Sequence, residues 1–135
     1  MAAMRLGCLF SHQANIQYLH KAQSPYSVNM LAVMAAQAAV EDTEYVQNYV
    51  VEALAARELL SIGLERLGIH YVPSSANFVL GRFGARAIEV RDALRDKGIL
   101  VRDRSYEAPG CVRITVGTRE QTRQLLAALE EVWRR

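Results

Sequence analysis

Gly98-Ile99-Leu100-Val101-Arg102 and Cys111-Val112-Arg113-Ile114-Thr115-Val116-Gly117-Thr118 decide how this chain folds. Each run is short, rich in Val and Ile, and bounded by the turn residues Gly98, Pro109-Gly110 and Gly117, so each predicts a β-strand. The short connection containing Pro109-Gly110 predicts that the two strands are antiparallel neighbours. Each strand carries one arginine among apolar residues, where a charge is costly to desolvate. Two guanidiniums converging from neighbouring strands suit a phosphate or carboxylate, which arginine grips through two parallel hydrogen bonds. The plainer alternative on spacing alone is that each arginine pairs with a local acid such as Asp103 or Glu107, or snorkels to solvent.

The flanking segments supply helices. Thr118 to Gln121 fits a capping box, with Leu125, Leu126, Leu129, Val132 and Trp133 as the buried stripe of a final helix. Upstream of the arginine strands, Gly84 opens a helix over about 86–97 that Gly98 closes, and Pro73-Ser74-Ser75 precedes a strand over 76–82. Tyr45, Tyr49, Val50, Ala53, Leu54, Leu60, Leu64 and Leu67 recur at three- and four-residue steps. They predict a long amphipathic helix, capped by Thr43 and ended by Gly68. Ser27 is expected to cap a helix over about 28–39. Met, Leu, Ala and Val cover that helix almost all round, so it is expected to be buried. Residues 1–10 read as an apolar strand or strand end, Ser11 to Asn15 open a short helix through Lys21, and Pro25 breaks the chain over 23–27. The fold class is α+β, with helices packed on one small, mostly antiparallel sheet.

Composition agrees with a folded domain. The chain has 135 residues, 51% apolar and 22% charged, with a formal charge of +2 from interspersed acids and bases. Nothing in that balance calls for nucleic acid or an anionic membrane as partner. Cys8 and Cys111 are far apart in apolar surroundings, which argues against a disulfide framework. His12, His20 and His70 lack metal-ligand spacing and are expected on the surface or in loops. No secretory signal is evident, and the longest apolar stretch, 30–40, is interrupted by Gln37 and too short to span a bilayer. A cytoplasmic location is expected by default.

Four stretches in order resemble the C-terminal part of the histidinol-phosphate aminotransferase family, within the class I/II pyridoxal-phosphate-dependent aminotransferases of fold type I. Met4-Arg5-Leu6-Gly7 is similar to the family's glycine-leucine-arginine-x-glycine segment, and Ser24-Pro25-Tyr26-Ser27-Val28-Asn29 to its proline-tyrosine-asparagine-valine-asparagine segment. Ser75-Ala76-Asn77-Phe78-Val79-Leu80 resembles its serine-x-alanine-asparagine-phenylalanine strand, and the two arginine strands resemble its C-terminal signature.

The resemblance implies a small C-terminal α+β domain over 30–135, preceded over 1–29 by a remnant of the large cofactor-binding domain and a connecting segment. It implies transfer of an amino group between L-histidinol phosphate and 2-oxoglutarate, with pyridoxal phosphate as cofactor, in a homodimer. The substrate class is a phosphorylated amino-alcohol or amino acid. Arg5 then contacts the cofactor phosphate, Arg113 holds the anionic end of the substrate, and Arg102 is a second arginine near it. Tyr26 and Asn29 fall where the family's chain approaches the neighbouring subunit's active site. A packing tyrosine and a helix-start asparagine explain them equally well, and Ser27 departs from the usual asparagine. The family's Schiff-base lysine would fall upstream of Met1, and Lys21 and Lys97, the only lysines, read as surface residues. The chain alone is therefore expected to be inactive. Alternatives are a threonine-phosphate decarboxylase-like or aromatic aminotransferase-like fragment. From another class comes a non-catalytic anion- or amino-acid-binding or dimerisation module. The fragment reading predicts exposed apolar surface around Met4, Leu6, Leu9 and Phe10.

Overall fold

Gly68, at φ +69°, stops a 24-residue helix, α3 (Thr43–Arg66), and turns the chain into the sheet. Its N–H donates to the Glu65 carbonyl and the Ile69 N–H to the Leu64 carbonyl, both at 2.9 Å, a Schellman ending that only glycine adopts cheaply. The computed structural model describes residues 2–26 and 28–134. The chain divides into two compact units, Met1–Gln47 and Asn48–Arg135.

In the second unit, the C-terminal part of α3 is followed by β1 (Tyr71–Val72), β2 (Phe78–Arg82), α4 (Ala87–Asp96), β3 (Arg102–Asp103), β4 (Cys111–Thr115) and α5 (Arg119–Trp133). The strands form an antiparallel sheet in the order β1-β2-β4-β3. The two arginine strands are thus antiparallel neighbours, as their sequence predicts. β1 was not foreseen, because two residues are too few to show a period of two. Leu60 and Leu64 of α3, Val90 and Leu94 of α4, and Leu125, Leu126, Leu129 and Val132 of α5 pack with Val79, Val112 and Ile114 of the sheet. The glycine at Gly63 lets α3 and α5 approach closely, since a methyl there would collide with the Leu126 side chain.

Local signals fix the ends of α5. Thr118 Oγ1 accepts from the Gln121 N–H, and Gln121 Oε1 accepts from the Thr118 N–H, the anticipated capping box. Glu52 of α3 accepts from the Arg119 N–H at 2.7 Å and from Arg119 Nε at 2.8 Å. These contacts hold the Glu52 carboxyl below its usual pKa. At the other end, Arg86 donates to the Val132 and Trp133 carbonyls, and its guanidinium lies over the Trp133 ring. A cation at the C-terminus of a helix is favoured by the unpaired carbonyls there.

The first unit departs from several expectations. Residues 2–10 form a short 3-10 turn at Ala2–Met4 and then irregular chain, with no strand among the described residues; Met1 lies outside them. A strand needs a partner for its backbone groups, and none is present here. Leu9 and Phe10 are exposed, Phe10 at 93%, as the fragment reading predicts, whereas Met4 and Leu6 are half-buried. Helix α1 (Gln13–Ala22) starts at His12, whose Nδ1 accepts from the Ala14 N–H. Helix α2 (Met30–Glu41) is capped by Asn29, whose side chain accepts from the Ala32 N–H at 2.8 Å. The expected cap, Ser27, lies outside the described residues. Asp42, not Thr43, caps α3 by accepting from the Tyr45 N–H.

The expected burial of α2 is corrected. Met30, Leu31, Met34 and Val40 are exposed, and Ala32 is its one buried residue. Tyr45, Tyr49 and Val50 at the start of the long helix, and Leu54 further along, are exposed too. An apolar helix is buried only against a second apolar layer, and the described residues of 1–47 contain no sheet to provide one. No described helix is long and apolar enough to cross a membrane, and the described residues contain no metal-binding cluster of His, Cys, Asp and Glu.

Candidate functional site

The sheet has one face covered by helices and one open face. Side chains alternate along a strand, so Val112 and Ile114 point into the core while Arg113 between them points the other way. The register sets Val72 against Leu80, Leu80 against Arg113, and Arg113 against Arg102, one row running across all four strands. Its β4–β3 end consists of two arginines directly opposite each other, with Cβ atoms about 5 Å apart by sheet geometry. Like charges in that position are destabilising unless an anion joins them.

The acids that the plainer alternative offered are engaged elsewhere. Asp103 lies on the helix-covered side opposite Val112 and accepts from Ser105 Oγ at 2.6 Å and the Ser105 N–H at 3.0 Å. Those bonds hold its carboxyl below the usual aspartate range. Glu107 pairs with Arg104 at 3.3 Å. Beyond the strand pairing, the side chain of neither Arg102 nor Arg113 hydrogen-bonds or ion-pairs with any described residue. Arg102 is exposed. Arg113 is half-buried, its Nε is buried with no partner, and its guanidinium carbon lies 5.2 Å from the centre of the Phe78 ring. In the adjacent row, Arg82 of β2 stands opposite Cys111. Sequence reasoning named neither Phe78 nor Arg82 as site residues, because a register two strands wide leaves no local signal.

An unpaired guanidinium pair on an open sheet face binds a dianion or carboxylate well. It supplies no nucleophile or proton shuttle. Of the remaining residues singled out from sequence, Arg5, Lys21, Tyr26 and Asn29 belong to the other unit and Lys97 to this one. Arg5 is exposed, with φ +55°, a backbone region that non-glycine residues seldom occupy. Tyr26 is 95% exposed. Asn29 spends its side-chain oxygen on the α2 cap. Lys21 lies over the Tyr18 ring and Lys97 pairs with Glu131.

Comparison with known proteins gives a consistent picture. The family model described as aminotransferase class I and II matches residues 1–129. The chain is 41% identical over 140 aligned residues to a histidinol-phosphate aminotransferase of Roseiflexus castenholzii, covering 98% of this chain and 37% of that protein. It is 43% identical to a histidinol-phosphate aminotransferase of Symbiobacterium thermophilum, covering 96% and 36%. Among solved structures it is similar to the histidinol-phosphate aminotransferase of Sinorhizobium meliloti in complex with pyridoxal-5'-phosphate, at 26% identity and a TM-score of 0.76, covering 90% of this chain and 34% of that one. The chain therefore spans little more than a third of the length of the curated relatives it matches.

Proposed function

The chain belongs to the class I and II aminotransferases, and on that premise we propose that it forms the C-terminal part of a histidinol-phosphate aminotransferase. The reaction is amino transfer between L-histidinol phosphate and 2-oxoglutarate. The observation that carries this reading is the opposed, unpaired pair Arg102 and Arg113 on the open sheet face. With no acid occupying its donors, Arg113 grips the substrate phosphate through two N–H groups. Arg102, across the strand pair, takes a further phosphate oxygen.

Residues 1–29 belong, in this reading, to the large domain, and 30–135 form the small one. Arg5 holds the phosphate of pyridoxal phosphate, for which an exposed guanidinium with no described partner is chemically suited. When bound, that cofactor supplies the electron sink for breaking and making bonds at the amino-bearing carbon. Lys21 and Lys97 have surface partners and receive no Schiff-base role, so this chain is assigned binding groups and no catalytic one. The exposed apolar residues of 1–47 are the surface that the large domain and a second subunit would cover, with Tyr26 and Asn29 near the neighbouring active site.

The test is calorimetric titration of the chain with L-histidinol phosphate and with L-histidinol. Binding should depend on the phosphate, and Arg113→Ala should abolish that preference while Arg102→Ala weakens it. Equal affinity for the two ligands in the unsubstituted chain would overturn the reading. Ping-pong transamination by the chain alone would overturn the assignment of binding groups only.

A further inference from the structure

We propose that Phe78 is a positioning residue for Arg113: its ring face, in place of an acid, fixes the guanidinium on the open sheet face and leaves its charge and N–H donors for an incoming anion. The proposal rests on the reading of Arg113 as an anion ligand and adds the device that prepares it.

The register makes the contact possible. Phe78 pairs with Thr115 and Leu80 with Arg113, so Phe78 is the diagonal neighbour of Arg113 on the same face. Diagonal neighbours are about 7–8 Å apart at the backbone, within reach of an aromatic ring and a long side chain. The guanidinium carbon sits 5.2 Å from the ring centre, inside the range of a cation–π contact.

Other arginines of the same unit show what is unusual here. Arg86 lies over the Trp133 ring but also pairs with Glu89. Arg104 lies over the Tyr106 ring and also pairs with Glu107. Arg113 has the ring alone, and its buried Nε has no partner. A carboxylate at Arg113 would hold it as firmly but would neutralise it and occupy the donors that a phosphate needs. A ring attracts the cation through its quadrupole, takes up no donor and adds no charge. It also limits the rotamers of a flexible side chain before the ligand arrives, so less entropy is lost on binding.

The test uses the isotope-labelled chain, with the Arg113 side-chain resonances assigned by their loss in Arg113→Lys and inorganic phosphate as the probe. In the unsubstituted chain the Arg113 side-chain protons should be shifted upfield by the ring, and phosphate should move its Nε–Hε resonance. Phe78→Leu should abolish the upfield shift and weaken phosphate binding by about tenfold. Phe78→Tyr should stay within about twofold of the unsubstituted chain, with the Val79 and Ile114 amide resonances reporting that the sheet is intact. Arg113 protons without an upfield shift in the unsubstituted chain overturn the proposal, and this readout needs no variant to fold. Equal phosphate affinity of Phe78→Leu and the unsubstituted chain also overturns it. A different failure, phosphate leaving Arg113 unmoved in the unsubstituted chain, overturns the anion-site reading and with it the positioning role.

Discussion

Residues 48–135 and residues 1–47 are built from the same local signals and end differently. Both have capped helices with apolar runs: Asn29 caps α2 as Thr118 caps α5. In the C-terminal unit those runs meet a sheet and three helices bury one core. In the N-terminal unit Ala32 is the only buried described residue, while Leu31 beside it is 71% exposed. Helix formation is thus decided locally, and burial is decided by whether a second layer exists to pack against. The long helix α3 carries the contrast within itself. Its start presents Tyr45 and Tyr49 to solvent, and its end buries Leu60 and Leu64.

The strongest way to break this comparison is a pair of leucine truncations. Leu129→Ala removes a fully buried side chain of α5 and should cost about 2–5 kcal/mol of stability. Leu31→Ala on α2 should change stability by no more than about 0.5 kcal/mol. Chemical denaturation of both variants decides it, and a large loss in Leu31→Ala would mean that α2 is packed in the isolated chain. Next in size is Gly63→Ala, whose new methyl meets Leu126. It should cost about 1–3 kcal/mol by overpacking, and adding Leu126→Ala should cost less than the sum of the two single changes. Additive losses would show that α3 and α5 do not touch there. Asn29→Ala is smaller, at about 1 kcal/mol of helix stability, and should appear as faster amide exchange at Ala32 and its neighbours with the C-terminal core unaffected.

The division between legible and illegible features follows the same line. The Gly68 stop, the Thr118–Gln121 box and the antiparallel arginine strands were readable because each depends on a few neighbouring residues. The arginines could be named from sequence, but their alternatives could not be weighed. Only the register sends Asp103 to the helix-covered side, and only the fold of 104–110 gives Glu107 to Arg104. The Phe78 contact was illegible for the same reason, since it joins residues 35 positions apart in sequence, 78 and 113. The expected strand over 1–10 and the expected burial of α2 failed because apolar sequence shows that a surface must be covered, and is silent on what covers it.

The smallest expected effect concerns acid, and it separates the two units by charge instead of packing. Glu52 ties α3 to α5 by accepting from the Arg119 N–H and guanidinium, and its folded pKa lies below the ordinary value of 4.5. A carboxyl depressed in the folded state stabilises it above the unfolded pKa, and that contribution is lost as pH falls through the folded value. Asp92 and Asp103, also depressed, add losses in the same direction just below the aspartate range. All of these groups lie in residues 48–135. Lowering pH from about 6 to 3 should therefore weaken the sheet and α5 while α2 keeps its helicity, as residue-resolved amide exchange would report. Glu52→Gln should flatten part of that pH dependence and lower stability slightly at neutral pH. An acid response spread evenly over both units would assign it to the net charge of the chain and not to these contacts.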